Sequence, residues 1–523
     1  MPHKRPHLNH GPIPTPREDP ISNSFIHPIL IHPSLHLIHI SCPMTAMEYQ
    51  TSPIPPYVHP DPSTISTARS AIHTALPDTG IGAAATSSHI STELCPGFEA
   101  SGASPRYYGF VTGGATPAAL AADHVVSEYD QNLHTHLPDE RIGTDVEFHA
   151  LGMLCQLLGL RPGEWGHKVF TTGATAANIV GLACAREFVV AETGRRLGRE
   201  SSVASSGLIR AVLATGRQGI QVLTSAPHSS LRKACSVVGL GHECVVDVGQ
   251  ASASHRMDLG LLEKHLADET MLSIIAISCA EVQTGLFATS GLDEMKKIRA
   301  LADKAGAWVH VDAAFGLIAR ILPDTTEYAQ VKKGVEGIEL ADSIAGDAHK
   351  LFNVPYDAGF LLSRPLQNAF QVFQNPGAPY LSASVSAIPS PLNIGIENSR
   401  RFRGLPVYAS LVAYGRTGYT DMLQRQIALA RRVAEWIRGM EGYELLPEGM
   451  ADGEVFVIVL FRARDEVVNT DLKTRINAQR RIYCSGTTWD GRPAVRLAVG
   501  NWMVDEKRDG PVVEEVLARA LEG

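Results

Sequence analysis

Lys350 stands in SIAGDAHKLFNVPYDAGF, a small-residue stretch between two apolar segments, with His349 directly before it. A lysine amine withdrawn from water gives up its proton more readily and becomes a nucleophile toward a carbonyl. Taken alone, such a residue is a solvated loop lysine. Asp312, 38 residues earlier in WVHVDAAFG, changes that balance. A carboxylate at the end of an apolar strand is expensive to bury unless it is paired. Ala313 and Ala314 follow it and are small enough for a flat ring to lie against the backbone. An acid that pairs with a protonated pyridine nitrogen accounts for these features, because such a ring accepts electrons when a bond at a substrate carbon breaks. Standing alone, Asp312 would serve equally well as a helix cap.

Two further segments carry compatible chemistry. TTGATAAN (171–178) joins a strand to a helix, with Gly173 at the tight turn. There the amides of Ala174 and Thr175, with the Thr175 hydroxyl, would face an anion at the helix N-terminus. Turns of this kind are common in α/β folds, so the segment alone is a weak signal. His228, in SAPHSSLRKACSVVGL, follows a strand-like run, and its flat ring suits stacking on a cofactor. A helix-capping or surface histidine is the simpler reading of that residue in isolation.

The elements that must position these residues are legible as alternating segments. KVFTT (168–172), IQVLTSA (220–226), SIIAISCA (273–280), AWVHVDAAF (307–315) and AGFLLS (358–363) read as strands. ATAANIVGLACAREFVVAE and LDEMKKIRALADKAG (292–306) read as helices between them. Strand, helix and strand in succession predict an α/β fold with a mainly parallel sheet covered on both faces. After residue 400 the pattern changes. An amphipathic helix (425–440), strands at 455–461 and 494–504 and a closing helix (511–522) predict a smaller α+β domain.

Composition narrows the class. The chain has 523 residues, enough for two or three domains, with 44% apolar and 19% charged content. Its formal net charge of -8 favours neither nucleic acid nor an anionic membrane as a partner. Eight cysteines are scattered singly without metal-ligand spacing, which predicts reduced thiols, no metal site and a cytoplasmic location. No uninterrupted apolar run in the sequence reads as a membrane span. The nearest, FIHPILIHPSLHLIHI (25–40), is broken by four histidines and two prolines. Residues 1–60 are rich in Pro and His and read as a disordered tail, with the working protein expected to begin near Met44 or Met47.

As a set, TTGATAAN, PHSSLRKA, HVDAAFG, GDAHKLFNVPYD and SRRFRGLPVY (399–408) resemble the group II pyridoxal-5′-phosphate (PLP) dependent amino-acid decarboxylases. The resemblance covers roughly four-fifths of the chain, from SPRYYGF (104–110) onward. It implies the type I, aspartate-aminotransferase-like fold and a homodimer with active sites at the subunit interface. The segments expected are a tail (1–60), a dimerisation and substrate-entry segment (61–130), a PLP-binding large domain (131–400) and a small domain (401–523). By the same resemblance, Lys350 matches the Schiff-base lysine, Asp312 the partner of the pyridine nitrogen, and Ala314 the small residue against the ring. His228 matches the stacking histidine, which also helps place the substrate carboxylate. Ala174, Thr175 and His349 match the phosphate neighbourhood, and Thr284 in AEVQTGLF matches a threonine near the cofactor hydroxyl.

The resemblance implies decarboxylation of an L-amino acid, with an aromatic one such as tyrosine or DOPA favoured. The pocket departs from the aromatic enzymes, with Phe110, Val111 and Thr112 where those have an aromatic and proline wall. Arg106 is more basic than the family pattern there and would suit an acidic substrate. The alternatives are an oxygen-dependent decarboxylative aldehyde synthase and a non-catalytic protein of the same fold. Tyr380, in NPGAPYLSA, matches the family's loop tyrosine, although Pro379-Tyr380-Leu381 lacks one intervening residue. As a proton donor to the substrate carbon, it would decide between amine and aldehyde. Tyr380→Phe is therefore expected to give less amine and relatively more aldehyde, with ammonia and peroxide. Carbon dioxide, amine and aldehyde quantified in air and under nitrogen test this, and an unchanged product ratio in air removes the role.

Overall fold

All five strand-like runs before residue 365 form strands of one sheet in the computed structural model, which describes residues 53–375 and 387–522. Among the described residues that sheet has seven strands: β1 (His167–Thr171), β2 (Gly219–Thr224), β3 (Val245–Asp247), β4 (Met271–Ser278), β5 (Trp308–Asp312), β6 (Ser343–Asp347) and β7 (Gly359–Ser363). Their spatial order is β1-β7-β6-β5-β4-β2-β3. Strands β3, β2, β4, β5 and β6 pair in parallel, whereas β7 runs antiparallel to both β6 and β1. The mainly parallel α/β sheet expected from the sequence is therefore present. Strand β6 went unrecognised because SIAGD has little β-branched character, yet all five of its residues are buried. Its place inside the sheet decides its conformation more than its composition does.

Helices α1 (Ala174–Arg196), α2 (Ser229–Val237) and α3 (Leu292–Ala305) connect these strands. Helix α1 starts at Gly173 and ends with Arg195 and Arg196, which favour the negative end of the helix dipole and pair with Glu192. It is long and apolar enough to cross a membrane, but 67% of its apolar stretch is buried inside the protein, as in a core helix. At Gly359 a side chain would lie 2.4 Å from the Gly173 backbone, so β7 and the turn before α1 touch main chain to main chain.

A second sheet, largely antiparallel, combines β8 (Tyr443–Leu446), β9 (Ile458–Ala463), β10 (Tyr483–Trp489) and β11 (Arg492–Ala498) in the order β10-β11-β9-β8. The two-residue strand Tyr107–Tyr108 joins its β10 edge in parallel. Helices α4 (Gly404–Gly439), α5 (Glu466–Ala478) and α6 (Glu506–Glu522) accompany this sheet. Helix α4 is broken at Gly415, whose φ of 55° lies in the left-handed region. The SRRFRGLPVY segment earns its arginines structurally. Arg400 forms a buried ion pair with Glu147, and Arg403 binds Asp357 at 2.7 Å. No disulfide links the described cysteines.

His167 in β1 is wholly buried and donates from Nε2 to the Ile394 carbonyl at 2.8 Å. Burial pushes its pKa down from 6.5 to about 4. The unfolded chain thus takes up a proton below about pH 6.5 that the folded one refuses, so stability falls from there to about pH 4. At pH 5 this group alone contributes a loss of about 2 kcal/mol. His167→Gln keeps a donor and removes the titration, so urea unfolding should show a smaller loss between pH 7 and pH 5 than in the wild type. Equal losses would contradict a neutral buried histidine.

Candidate active site

Parallel strands gather their carboxyl ends at one edge of a sheet, and loops leaving those ends converge there. In this chain the ends of β1, β2, β4, β5 and β6 surround a cavity of about 460 Å³. Lys350, three residues beyond β6, places Nζ 2.8 Å from Asp347 Oδ2 and 5.8 Å from the centre of the Phe315 ring. Asp347 ends β6 with 4% of its side chain exposed. Its Oδ1 accepts the Ala174 amide at 2.5 Å and lies 3.4 Å from His349 Nε2. The His349 ring lies 4.4 Å from that of Tyr356, and burial lowers its pKa.

Asp312 closes β5 on the same wall. Its Oδ2 accepts from Asn178 Nδ2 at 2.9 Å, and its Oδ1 accepts the Ala314 amide at 3.3 Å. Ala314 and Phe315 continue the wall. His228 takes the helix-capping place that its position allows and also borders the cavity. Its Nδ1 accepts the Ser230 amide at 3.2 Å and caps α2, while the residue also lines the cavity. Burial pushes its pKa down, with Lys350 acting in the same direction and Asp312 against it.

The turn before α1 differs in detail from the sequence expectation. The Ala174 amide is occupied by Asp347, whereas the amides of Thr175 and Ala176 find no acceptor among the described residues. Thr284 does not line the cavity. The tight turn at 281–284 points Glu281 there instead, and Thr284 donates its amide to Glu281 at 2.5 Å and its hydroxyl to the same oxygen. Phe110 and Val111 form a lip of the cavity with φ of 57° and 60°. For a phenylalanine and a β-branched valine these are strained conformations, held by the surrounding structure. Thr112 sits behind them and donates to the Gly109 carbonyl at 3.0 Å. Arg106 does not reach the cavity, because Asp509 in α6 binds its Nε at 3.0 Å. Tyr380 lies outside the described residues.

Arg496 escaped the sequence reading. It comes from β11 of the second sheet and lines the cavity, with Nε donating to the Val282 carbonyl. Burial pushes its pKa down to about 10, and Glu281 opposes that shift. The cavity thus offers a lysine amine, a carboxylate beside small residues, unpaired helix-start amides and an apolar lip. A flat pyridine aldehyde bearing a phosphate suits this donor set.

The model of the pyridoxal-dependent decarboxylase conserved domain matches residues 68–464. The chain belongs to this family. L-2,4-diaminobutyrate decarboxylase of Acinetobacter baumannii is 30% identical over 330 residues, 62% of this chain and 60% of that protein. The matched stretch therefore spans less than two thirds of that relative. Tryptophan decarboxylase 1 of Oryza sativa subsp. japonica is 27% identical over 431 residues, 77% of this chain and 78% of that protein. In structure, the crystal form of Oryza sativa TDC with PLP and tryptamine superimposes with a TM-score of 0.74 at 22% identity, covering 89% and 93% of the two chains. The fold of this family member is accordingly the type I PLP fold.

Asp312→Asn preserves shape and removes charge. Carbon dioxide release from a turned-over amino acid should fall by about 10²-fold or more, while PLP retention suffers less. Near-normal turnover in the variant would leave Asp312 as a structural cap.

Proposed function

We propose that the chain decarboxylates an L-amino acid to its amine and carbon dioxide, using PLP held at Lys350. One observation carries this reading: Lys350 and Asp312 line a single cavity at the carboxyl ends of adjacent parallel strands. When bound, PLP supplies a ring that takes up the electrons of the bond broken at the substrate's α carbon. Lys350 anchors the cofactor aldehyde through its amine. Asp312 would keep a proton on the pyridine nitrogen, and Ala314 and His228 would hold the flat ring. The amides of Thr175 and Ala176 and the Thr175 hydroxyl bind the phosphate, aided by the α1 dipole, with His349 nearby. Arg496 offers a guanidinium to the substrate carboxylate in a part of the site from which water is largely removed. Positioning and electrostatics carry most of the rate.

Phe110, Val111, Phe315 and Tyr356 favour an aromatic side chain. A second reading, a small diamino acid, is favoured by Glu281, a buried carboxylate in the same wall. Phe110 and Tyr356 are 65% and 60% exposed at the cavity. Exposed aromatics there suit coverage by a second copy, in keeping with a homodimer that shares its sites. The free thiols among the described residues accord with action in the cytoplasm.

Purified protein supplied with PLP should release carbon dioxide from an L-amino acid. The panel comprises tyrosine, DOPA, tryptophan, phenylalanine, 2,4-diaminobutyrate, glutamate and aspartate. Release from an aromatic acid supports the first reading, and release from diaminobutyrate alone supports the second. PLP binding without release from any of them would reject catalysis of this kind.

A further inference from the structure

Behind Asp312, away from the cavity, runs a chain of side chains buried from water. Asn178 Nδ2 lies 2.9 Å from Asp312 Oδ2, and Asn178 Oδ1 lies 2.9 Å from His310 Nε2. His310 Nδ1 is 2.8 Å from Ser343 Oγ, which is 2.8 Å from Trp308 Nε1. Asn178, His310, Ser343 and Trp308 are each 0% exposed. The placement follows from the secondary structure. Trp308, His310 and Asp312 alternate along one face of β5, Ser343 is the register partner of His310 on β6, and Asn178 lies in the second turn of α1. Gly181 lets α1 pass over the imidazole, since a Cβ there would come within 2.8 Å of His310 Cε1.

The chemistry of the two ends gives the chain a direction. An ionised carboxylate only accepts, so Asn178 turns its NH₂ toward Asp312 and its oxygen toward His310. That oxygen only accepts, so His310 carries its proton on Nε2. Burial pushes the His310 pKa down to about 4, which leaves the ring neutral and Nδ1 bare. Nδ1 therefore accepts the Ser343 hydroxyl proton. An indole N–H only donates, so Trp308 fills a lone pair of Ser343 and cannot reverse the order. Were His310 doubly protonated, Ser343 would receive two donors and its own hydroxyl proton would lack an acceptor among the described residues.

We infer that Trp308, Ser343, His310 and Asn178 form a one-way hydrogen-bond relay that holds the Asp312 carboxylate in position toward the cofactor's ring nitrogen. Every dipole in it points its positive end at the carboxylate, and hydrogen bonds in series polarise one another in a water-free interior. These four are positioning residues, because they act only through Asp312. The inference rests on the proposed role of Asp312 toward PLP.

The test is nitrogen NMR at pH 7 on protein labelled at histidine and loaded with PLP labelled at the ring nitrogen. Wild type should show His310 protonated on Nε2 with Nδ1 bare and accepting, and a protonated ring nitrogen. Ser343→Ala cuts the relay: the second His310 tautomer should appear, the ring-nitrogen signal should move toward its unprotonated position, and PLP should dissociate about tenfold more readily. Ser343→Thr, which keeps the hydroxyl, should restore all three. A His310 proton on Nδ1 in wild type, with the ring nitrogen protonated, overturns the relay but not the proposed function. An unprotonated ring nitrogen in wild type overturns both. Ser343→Ala without effect on any readout also overturns the relay, and the wild-type tautomer alone decides if that variant fails to fold.

Discussion

A carboxylate that keeps only 4% of its side chain exposed has to be matched by charge or by hydrogen bonds, and Asp347 collects its partners at one place. It holds Lys350 through one oxygen, and with the other it accepts the Ala174 amide and faces His349. Those contacts join the end of β6, the loop after it and the first turn of α1. Removing one member of such a buried group leaves the others uncompensated, at a cost of about 3–5 kcal/mol. The lysine therefore stands at a fixed point in a cavity whose other walls are set by the same sheet.

The remaining site follows from that fixed point. Strand β6 lies beside β5, so Asp312 faces the cavity that receives Lys350. Helix α1 supplies helix-start amides to the cavity at its first turn and, at its second, Asn178, which binds Asp312. The second sheet contributes Arg496, and the lip residues Phe110 and Val111 lie just beyond Gly109, which follows the strand Tyr107–Tyr108 at that sheet's edge. The large sheet thus supplies Lys350, Asp312 and the helix-start amides to the cavity, and the segments around it supply Arg496, Phe110 and Val111.

Residues whose chemistry conflicted with their local surroundings were legible in the sequence. Asp312 ends an apolar strand, Lys350 interrupts a small-residue stretch, and His228 follows a buried strand, so each invited a reason. Residues whose role depends on distant partners were not. Arg496 alternates with apolar neighbours in β11 and reads as an outward arginine, yet the packing of the two sheets buries it in the cavity wall. Arg106 looked available until Asp509, 403 residues away, proved to bind it. Thr284 has suitable chemistry, but a turn of four residues gives the cavity to Glu281. Asp347 stands three residues before the lysine, inside a strand whose small residues give no strand pattern.

If Lys350 is the covalent anchor of the cofactor, it alone among the chain's lysines joins the PLP aldehyde. Borohydride reduction of the PLP-loaded protein, followed by proteolysis and mass spectrometry of the fragments, addresses it without knowledge of the substrate. A single reduced pyridoxyl adduct is expected, on Lys350. An adduct on any other lysine, with Lys350 unmodified, would contradict it.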